Sequence, residues 1–111
     1  MTPPDDQNRR QYPRLKLSVP IEFRPEGSEF PIRGATSDLS LSGCYVEMTF
    51  TFPVGTIFEI SLQLEEPVLA VATVVTCDTQ VGNGLYFTKI LPEDQELLRT
   101  YLENAEKAQQ T

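Results

Sequence analysis

From Leu15 onward the chain alternates. Leu15, Leu17, Val19, Ile21 and Phe23 interleave with Lys16, Ser18, Pro20, Glu22 and Arg24. A period of two marks a strand with one face in a core and the other in water. Proline lacks a ladder donor, so Pro20 is expected at an edge or a bulge. Pro25, Glu26, Gly27 and Ser28 make a turn into a second extended stretch, Phe30 to Ser37. After Gly43, Cys44 to Phe50 reads as a third strand with Cys44, Val46 and Met48 on one face. A turn at Pro53, Val54 and Gly55 leads into the cleanest alternation, in which Phe58, Ile60, Leu62 and Leu64 oppose Glu59, Ser61 and Gln63. Val68 to Cys77 is rich in valine, alanine and threonine, and reads as a strand either buried on both faces or curved. Asp78 to Gly84 reads as a turn region with a tight bend at Gly82-Asn83-Gly84, followed by a last strand from Leu85 to Ile90.

The period then changes. Pro92 suits the first turn of a helix, and Glu93, Asp94 and Glu96 suit its positive end. Leu97, Leu98, Tyr101, Leu102 and Ala105 form one apolar stripe, and Ala108–Thr111 is expected to fray. At the other end, Pro3, Pro4 and Pro13 stand among polar residues, which reads as an extended arm. Six short strands with a terminal helix predict an all-β domain, a small six-stranded antiparallel β-barrel. The expected organisation is one domain over 1–111, with a flexible arm over 1–14, the barrel over 15–91 and the helix over 92–111. The helix would close an open barrel end or mediate a dimer contact, so monomer and homodimer both stay open. A chain of 111 residues supports one modest core and little more.

Charge sharpens the picture because it is uneven. Residues 1–16 hold four cations and two anions, and the rest of the chain holds five cations and fourteen anions. A basic arm on an acidic body fits capture of a small anion, whereas a nucleic acid polymer would meet repulsion over most of the surface. The plainer account of the arm is a frayed tail whose arginines aid solubility. There is no histidine, which removes the commonest general base and imidazole metal ligand. Cys44 and Cys77 lack the paired spacing of a zinc or redox site and are expected as buried thiols, although one disulfide is compatible with the sequence. No apolar run is long enough to cross a bilayer as a helix, and the first residues have no apolar signal core, so a cytoplasmic location without membrane insertion is the expectation.

Two polar clusters fall outside the strand pattern. Arg9-Arg10-Gln11-Tyr12-Pro13-Arg14 places Arg10 and Arg14 four apart, and Asp38-Leu39-Ser40-Leu41-Ser42-Gly43 occupies a strand junction. Each alone is ordinary, since Asp-x-Ser before a glycine is a common turn. Together, ahead of a barrel pattern, they resemble the PilZ family. That family carries an Arg-x-x-x-Arg motif on an N-terminal arm and an Asp/Asn-x-Ser-x-x-Gly motif some way downstream. Arg10 and Arg14 match the first motif, and Asp38, Ser40 and Gly43 match the second. The late segment Gly82-Asn83-Gly84-Leu85-Tyr86-Phe87 and the terminal helix also look like the family.

The resemblance implies a receptor whose arm wraps cyclic di-GMP against the barrel, without cofactor, metal or catalysis. It also implies control of a protein partner that the sequence does not name. The residue types agree with that ligand. Guanidinium groups fork onto phosphate oxygens or guanine O6 and N7 and stack on bases, which suits Arg10 and Arg14. A carboxylate only accepts hydrogen bonds, which suits Asp38 to the N–H groups of a guanine edge. Ser40 would add a short donor and acceptor. Gly43 would permit close backbone approach or positive φ, or act as a plain turn glycine. In the family, the residue before the first motif bears on ligand number, so Arg9 would favour a second, intercalated molecule.

Other readings remain. Ser40 as a nucleophile lacks a nearby base, which argues against an enzyme. Phe23, Phe58, Phe87 and Tyr101 fall on apolar faces and are better explained as core than as stacking platforms. That assignment and the acidic body disfavour a barrel that binds single-stranded nucleic acid. The alternative closest to the receptor is a PilZ-type interaction adaptor that binds no nucleotide, although such members usually lack one of the two motifs.

Overall fold

A computed structural model describes residues 13–110. Six strands and one helix follow in order: β1 Pro20–Pro25, β2 Ile32–Leu39, β3 Gly43–Glu47, β4 Ile57–Leu62, β5 Val68–Asp78, β6 Gly82–Ile90 and α1 Pro92–Gln110. The strands close into an antiparallel barrel in the order β1-β2-β3-β6-β5-β4. Closure is made by β1 against β4, where Ile21 pairs with Leu62 and Phe23 with Ile60. The predicted architecture is therefore the observed one.

Alternation puts the predicted apolar positions inside. Ile21, Phe23, Phe58, Leu62, Val74 and Leu85 are all buried. Phe58 meets Phe23 and Phe52 edge-on, with ring centroids 5.2 Å and 5.0 Å apart, a favoured aromatic geometry. Leu98 of α1 is fully buried, and Leu97, Tyr101 and Leu102 pack partly against the same core. The helix packs against β5.

Several boundaries differ from expectation, each for a local reason. The first strand begins at Pro20, not Leu15. Upstream of it the chain still runs beside β2, and Leu15 exchanges both backbone hydrogen bonds with Leu39 at 2.9 Å. Opposite this stretch, on its other edge, β2 shifts register against β3 at Thr36/Asp38. Thr36 fills the gap: its Oγ1 accepts from Val19 N at 2.9 Å and donates to Leu17 O at 2.6 Å. Pro20 stands at the first position of its strand, where a missing donor costs little. β2 reaches Leu39, two residues past the expected end, β3 stops at Glu47 and β4 at Leu62.

The bend expected at Gly82-Asn83-Gly84 is instead the start of β6. The turn lies just before, where Val81 N bonds Asp78 O at 2.8 Å and Gln80 takes φ 65°. Asn83 is buried, and its amide is tied to Phe52 N and O at 2.8 Å and to Thr76 O at 3.1 Å. Those bonds replace the turn that an Asn-Gly pair usually favours. β5 resolves toward the curved alternative: Val68, Ala70, Ala72 and Val74 are buried while Leu69 and Val75 are exposed. Register shifts at Val71/Ala72 and Val74/Thr76 bend it around the barrel. The helix extends through Ala108 to Gln110, and Thr111 lies outside the described residues. Among the described residues, no helix is long and apolar enough to cross a membrane.

Candidate functional site

The β2–β3 junction is a tight connection built by Ser40. Its backbone N bonds Gly43 O at 2.8 Å. Its Oγ accepts from Ser42 N at 3.1 Å and Gly43 N at 3.2 Å, and lies 3.1 Å from Ser42 Oγ and 3.3 Å from Gly43 O. Ser40 is wholly buried, so its hydroxyl faces the turn it organises and not the solvent. Gly43 needs no positive φ. A Cβ there would lie 2.1 Å from Leu85 O, so glycine is required for β3 to cross β6 closely. Of the two expected roles for this glycine, close approach is the one observed, and the approach is to the protein's own backbone.

Asp38 precedes this turn at the end of β2. Leu39 beside it is buried, so strand alternation turns the Asp38 side chain outward, where it is about a quarter exposed. Arg14 meets it there, and its Nη1 donates to Asp38 Oδ1 at 2.9 Å. The backbone pair between Leu15 and Leu39 holds both residues in place, since each flanks one member of that pair. Behind them Cys44 is buried, and burial followed by the charge of Asp38 pushes its thiol up to about 12, with Arg14 acting in the opposite sense. Cys44 and Cys77 are free thiols.

Pro13, Leu15 and Leu41 line a small cleft with Arg99, Leu102, Glu103 and Glu106 of α1. The root of the arm thus lies between the Asp38 turn and the helix. Gln109 Nε2 also donates to Lys16 O at 3.3 Å, tying the end of α1 to the segment leading into β1.

Of the sequence-predicted residues, Arg14 and Asp38 are brought into contact, with Ser40 and Gly43 in the turn behind. Arg9 and Arg10 lie outside the described residues. Sequence reasoning missed Tyr45, which pairs with both Asp38 and Gly84 in the ladder. Its ring crosses β6 over Gly82, where a Cβ would come within 2.6 Å of it. Its hydroxyl donates to Asp78 Oδ2 at 2.7 Å. The ring therefore leans away from β2 and leaves the Asp38 carboxylate to Arg14. Alternation in the third strand was the available signal, since inward Cys44 and Val46 require Tyr45 to face outward.

These features define a class: a closed six-stranded antiparallel barrel with a helix against it, and an arginine from the leading segment latched to an Asp-x-Ser-x-x-Gly strand junction. The family model described as PilZ domain matches residues 8–104, and the chain belongs to that family. Among solved structures, the inhibitor of motility MotI/DgrA of Bacillus subtilis is similar with TM-score 0.79 and 20% identity, over 93% of this chain and 54% of that one. This chain therefore spans about half the length of that relative. The PilZ domain of CeSA from a cellulose-synthesizing bacterium matches with TM-score 0.67 and 20% identity, over 84% of this chain and 97% of that one. The PilZ domain of YcgR from Escherichia coli, with c-di-GMP, matches with TM-score 0.67 and 18% identity, over 93% of this chain and 99% of that one. No curated protein matches the chain in sequence.

Proposed function

We propose that this protein is a cytoplasmic bacterial receptor for cyclic di-GMP, in which the segment before Leu15 closes over the nucleotide at the β2–β3 junction. The changed surface then regulates a partner protein. The observation that carries this reading is the contact between Arg14 and Asp38, which joins one residue from each motif on an outward face. PilZ domains are generally receptors for cyclic di-GMP, and the YcgR relative is a PilZ domain with that nucleotide.

The chemistry supports it residue by residue. Cyclic di-GMP offers two phosphates and two guanines. Arg10 and Arg14 fork onto phosphate oxygens or guanine O6 and N7. The Asp38 carboxylate accepts from the N–H groups of a guanine edge. Ser40 and Gly43 act by holding the turn that presents Asp38. Arg9 stacks on a second guanine, giving two nucleotides per protomer. The Arg14–Asp38 pair is solvent-facing and held by one hydrogen bond, so a ligand with more charge can exchange for it at small cost. The arm closes only as far as the ligand prefers the closed form.

Calorimetry with cyclic di-GMP, set against GTP and linear pGpG, tests the reading. Heat is expected from the cyclic dinucleotide alone. Losing one charge-assisted contact removes roughly 1.5–3 kcal/mol, so Arg10→Ala and Arg14→Ala should each weaken binding about tenfold or more. Absence of heat and of thermal stabilisation at high micromolar nucleotide would overturn the reading, as would unchanged affinity in both variants. One nucleotide per protomer would remove the role given to Arg9.

A further inference from the structure

The buried stripe of α1 has a groove on each flank. One is the small cleft at the root of the arm. The other, about 690 Å³, runs between the helix and the β4–β5 turn. Its floor is apolar, made of Leu64, Leu97 and Tyr101, all of which rest partly on the barrel core. Its two walls are acidic, with Glu65 and Glu66 from the turn and Glu93 and Glu96 from the helix. Among the described residues, no lysine or arginine lines it.

These glutamates differ from those on the barrel wall. Glu59 is paired with Arg24 and Glu22 with Arg33. Among the described residues, Glu65, Glu66 and Glu93 enter no ion pair, and Glu96 meets Arg99 Nε at 3.5 Å. Local reasons account for part of this. Glu93 suits the positive end of the helix, and Glu65-Glu66 begins a solvated turn. Neither reason calls for an apolar floor between two acidic walls. Metal chelation does not explain it either, since no three acidic, cysteine or histidine side chains converge closely enough among the described residues. Carboxylates set apart along two walls instead meet several cations one at a time.

We propose that this groove docks a basic amphipathic segment of a partner protein. Lysine or arginine stems lie over Leu97 and Tyr101 while their charged ends reach the glutamates, and an apolar side chain of the segment fills the floor beside Leu64. The proposal rests on the receptor reading for its purpose, since it names the chemistry of the partner that a receptor must reach. Its test uses no nucleotide, so a failed titration here leaves the calorimetry with cyclic di-GMP as an independent result.

The probe is a capped peptide containing Lys-Leu-Lys-Lys-Leu-Lys twice, titrated into the full chain by NMR. Two comparison peptides replace every leucine with serine or every lysine with glutamate. Amide shifts confined to Leu64–Glu66 and Glu93–Asn104 are expected, with both comparison peptides roughly tenfold weaker or worse. The Glu65→Lys/Glu93→Lys double variant should lose roughly tenfold in affinity. Glu26→Lys/Glu29→Lys, on the β1–β2 turn, makes the same charge change and should alter affinity less than about twofold. The proposal is overturned by shifts spread over the acidic surface, by equal losses in the two double variants, or by equal binding of the serine peptide. It is also overturned if the groove resonances move with protein concentration alone, because a second copy of the chain is then the occupant.

Discussion

Arg14 reaches across 24 residues of sequence to donate from Nη1 to Asp38 Oδ1 at 2.9 Å, and this contact joins the two motifs without burying either charge. Pairs this open to solvent contribute little to stability, about 0–1 kcal/mol. Arg14→Ala and Asp38→Asn are therefore expected to shift the urea midpoint only slightly, each by less than about 1 kcal/mol in unfolding free energy. The same two variants should lose most of their affinity for cyclic di-GMP. The separation between small stability change and large binding change is the signature of a ligand contact. A large stability loss in both would instead make the pair a structural clamp.

Gly43 and Gly34 give opposite expectations for one substitution. At Gly43 a methyl group would sit 2.1 Å from Leu85 O, a backbone atom fixed by the β3–β6 ladder. At Gly34 the nearest atoms are side-chain carbons of Phe23 and Val46 at 3.6 Å, an ordinary contact. Gly43→Ala should cost about 3 kcal/mol or more by forcing two strands apart. Gly34→Ala should leave stability unchanged or raise it by up to about 1 kcal/mol, because alanine narrows the unfolded ensemble. Thermal and urea unfolding of the two variants side by side checks the contrast.

Asn83 is a fully buried polar side chain of the barrel. Its carbonyl accepts from Phe52 N, and its amino group donates to Phe52 O and Thr76 O, all within 3.1 Å. Asn83→Ala leaves three backbone groups without these partners and should cost about 3 kcal/mol. Asn83→Asp should be worse at neutral pH, because a buried carboxylate has no proton to give the two carbonyls. Acid should partly rescue Asn83→Asp and leave Asn83→Ala unaffected, which urea unfolding at two pH values resolves.

Much of this was legible in the order of residues. The period of two assigned the inward face of Ile21, Phe23, Phe58, Ile60 and Leu62, because side-chain direction in a strand follows from backbone geometry alone. The change of period at Pro92 marked the helix for the same reason. The two motifs pointed to Arg14 and Asp38, but their spacing gave no sign that the two would touch. What stayed hidden depends on contacts between distant segments. An Asn-Gly pair reads as a turn until Phe52, some thirty residues away, ties up the Asn83 amide. Nor did the motif show that the Ser40 hydroxyl would be engaged by its own neighbours in the turn. Leu15 and Leu17 keep their alternation yet fall outside the first strand: Leu15 pairs with Leu39 as an isolated bridge, and Leu17 O is taken by the Thr36 hydroxyl instead of a ladder partner.

Tyr45 extends the site in a way that alkaline titration can read. Its hydroxyl donates to Asp78, and that bond, together with partial desolvation and the negative charges of Asp78, Glu47 and Asp38, raises the phenol to about 12 from its ordinary 10.0. The folded state thus holds this proton more tightly than the unfolded chain. The stabilisation is complete below pH 10 and is lost as pH rises from about 10 to about 12. Tyr45 is expected to ionise late by phenolate absorbance, and Tyr45→Phe should remove that late step. Asp78→Asn should move it back toward the ordinary value by removing the charge. The stability difference between the parent and Tyr45→Phe should be level below pH 10 and narrow above it. A difference that stays constant up to pH 12 would mean that the hydroxyl and Asp78 do not stay bonded in solution, and that the ring is held over Gly82 by packing alone.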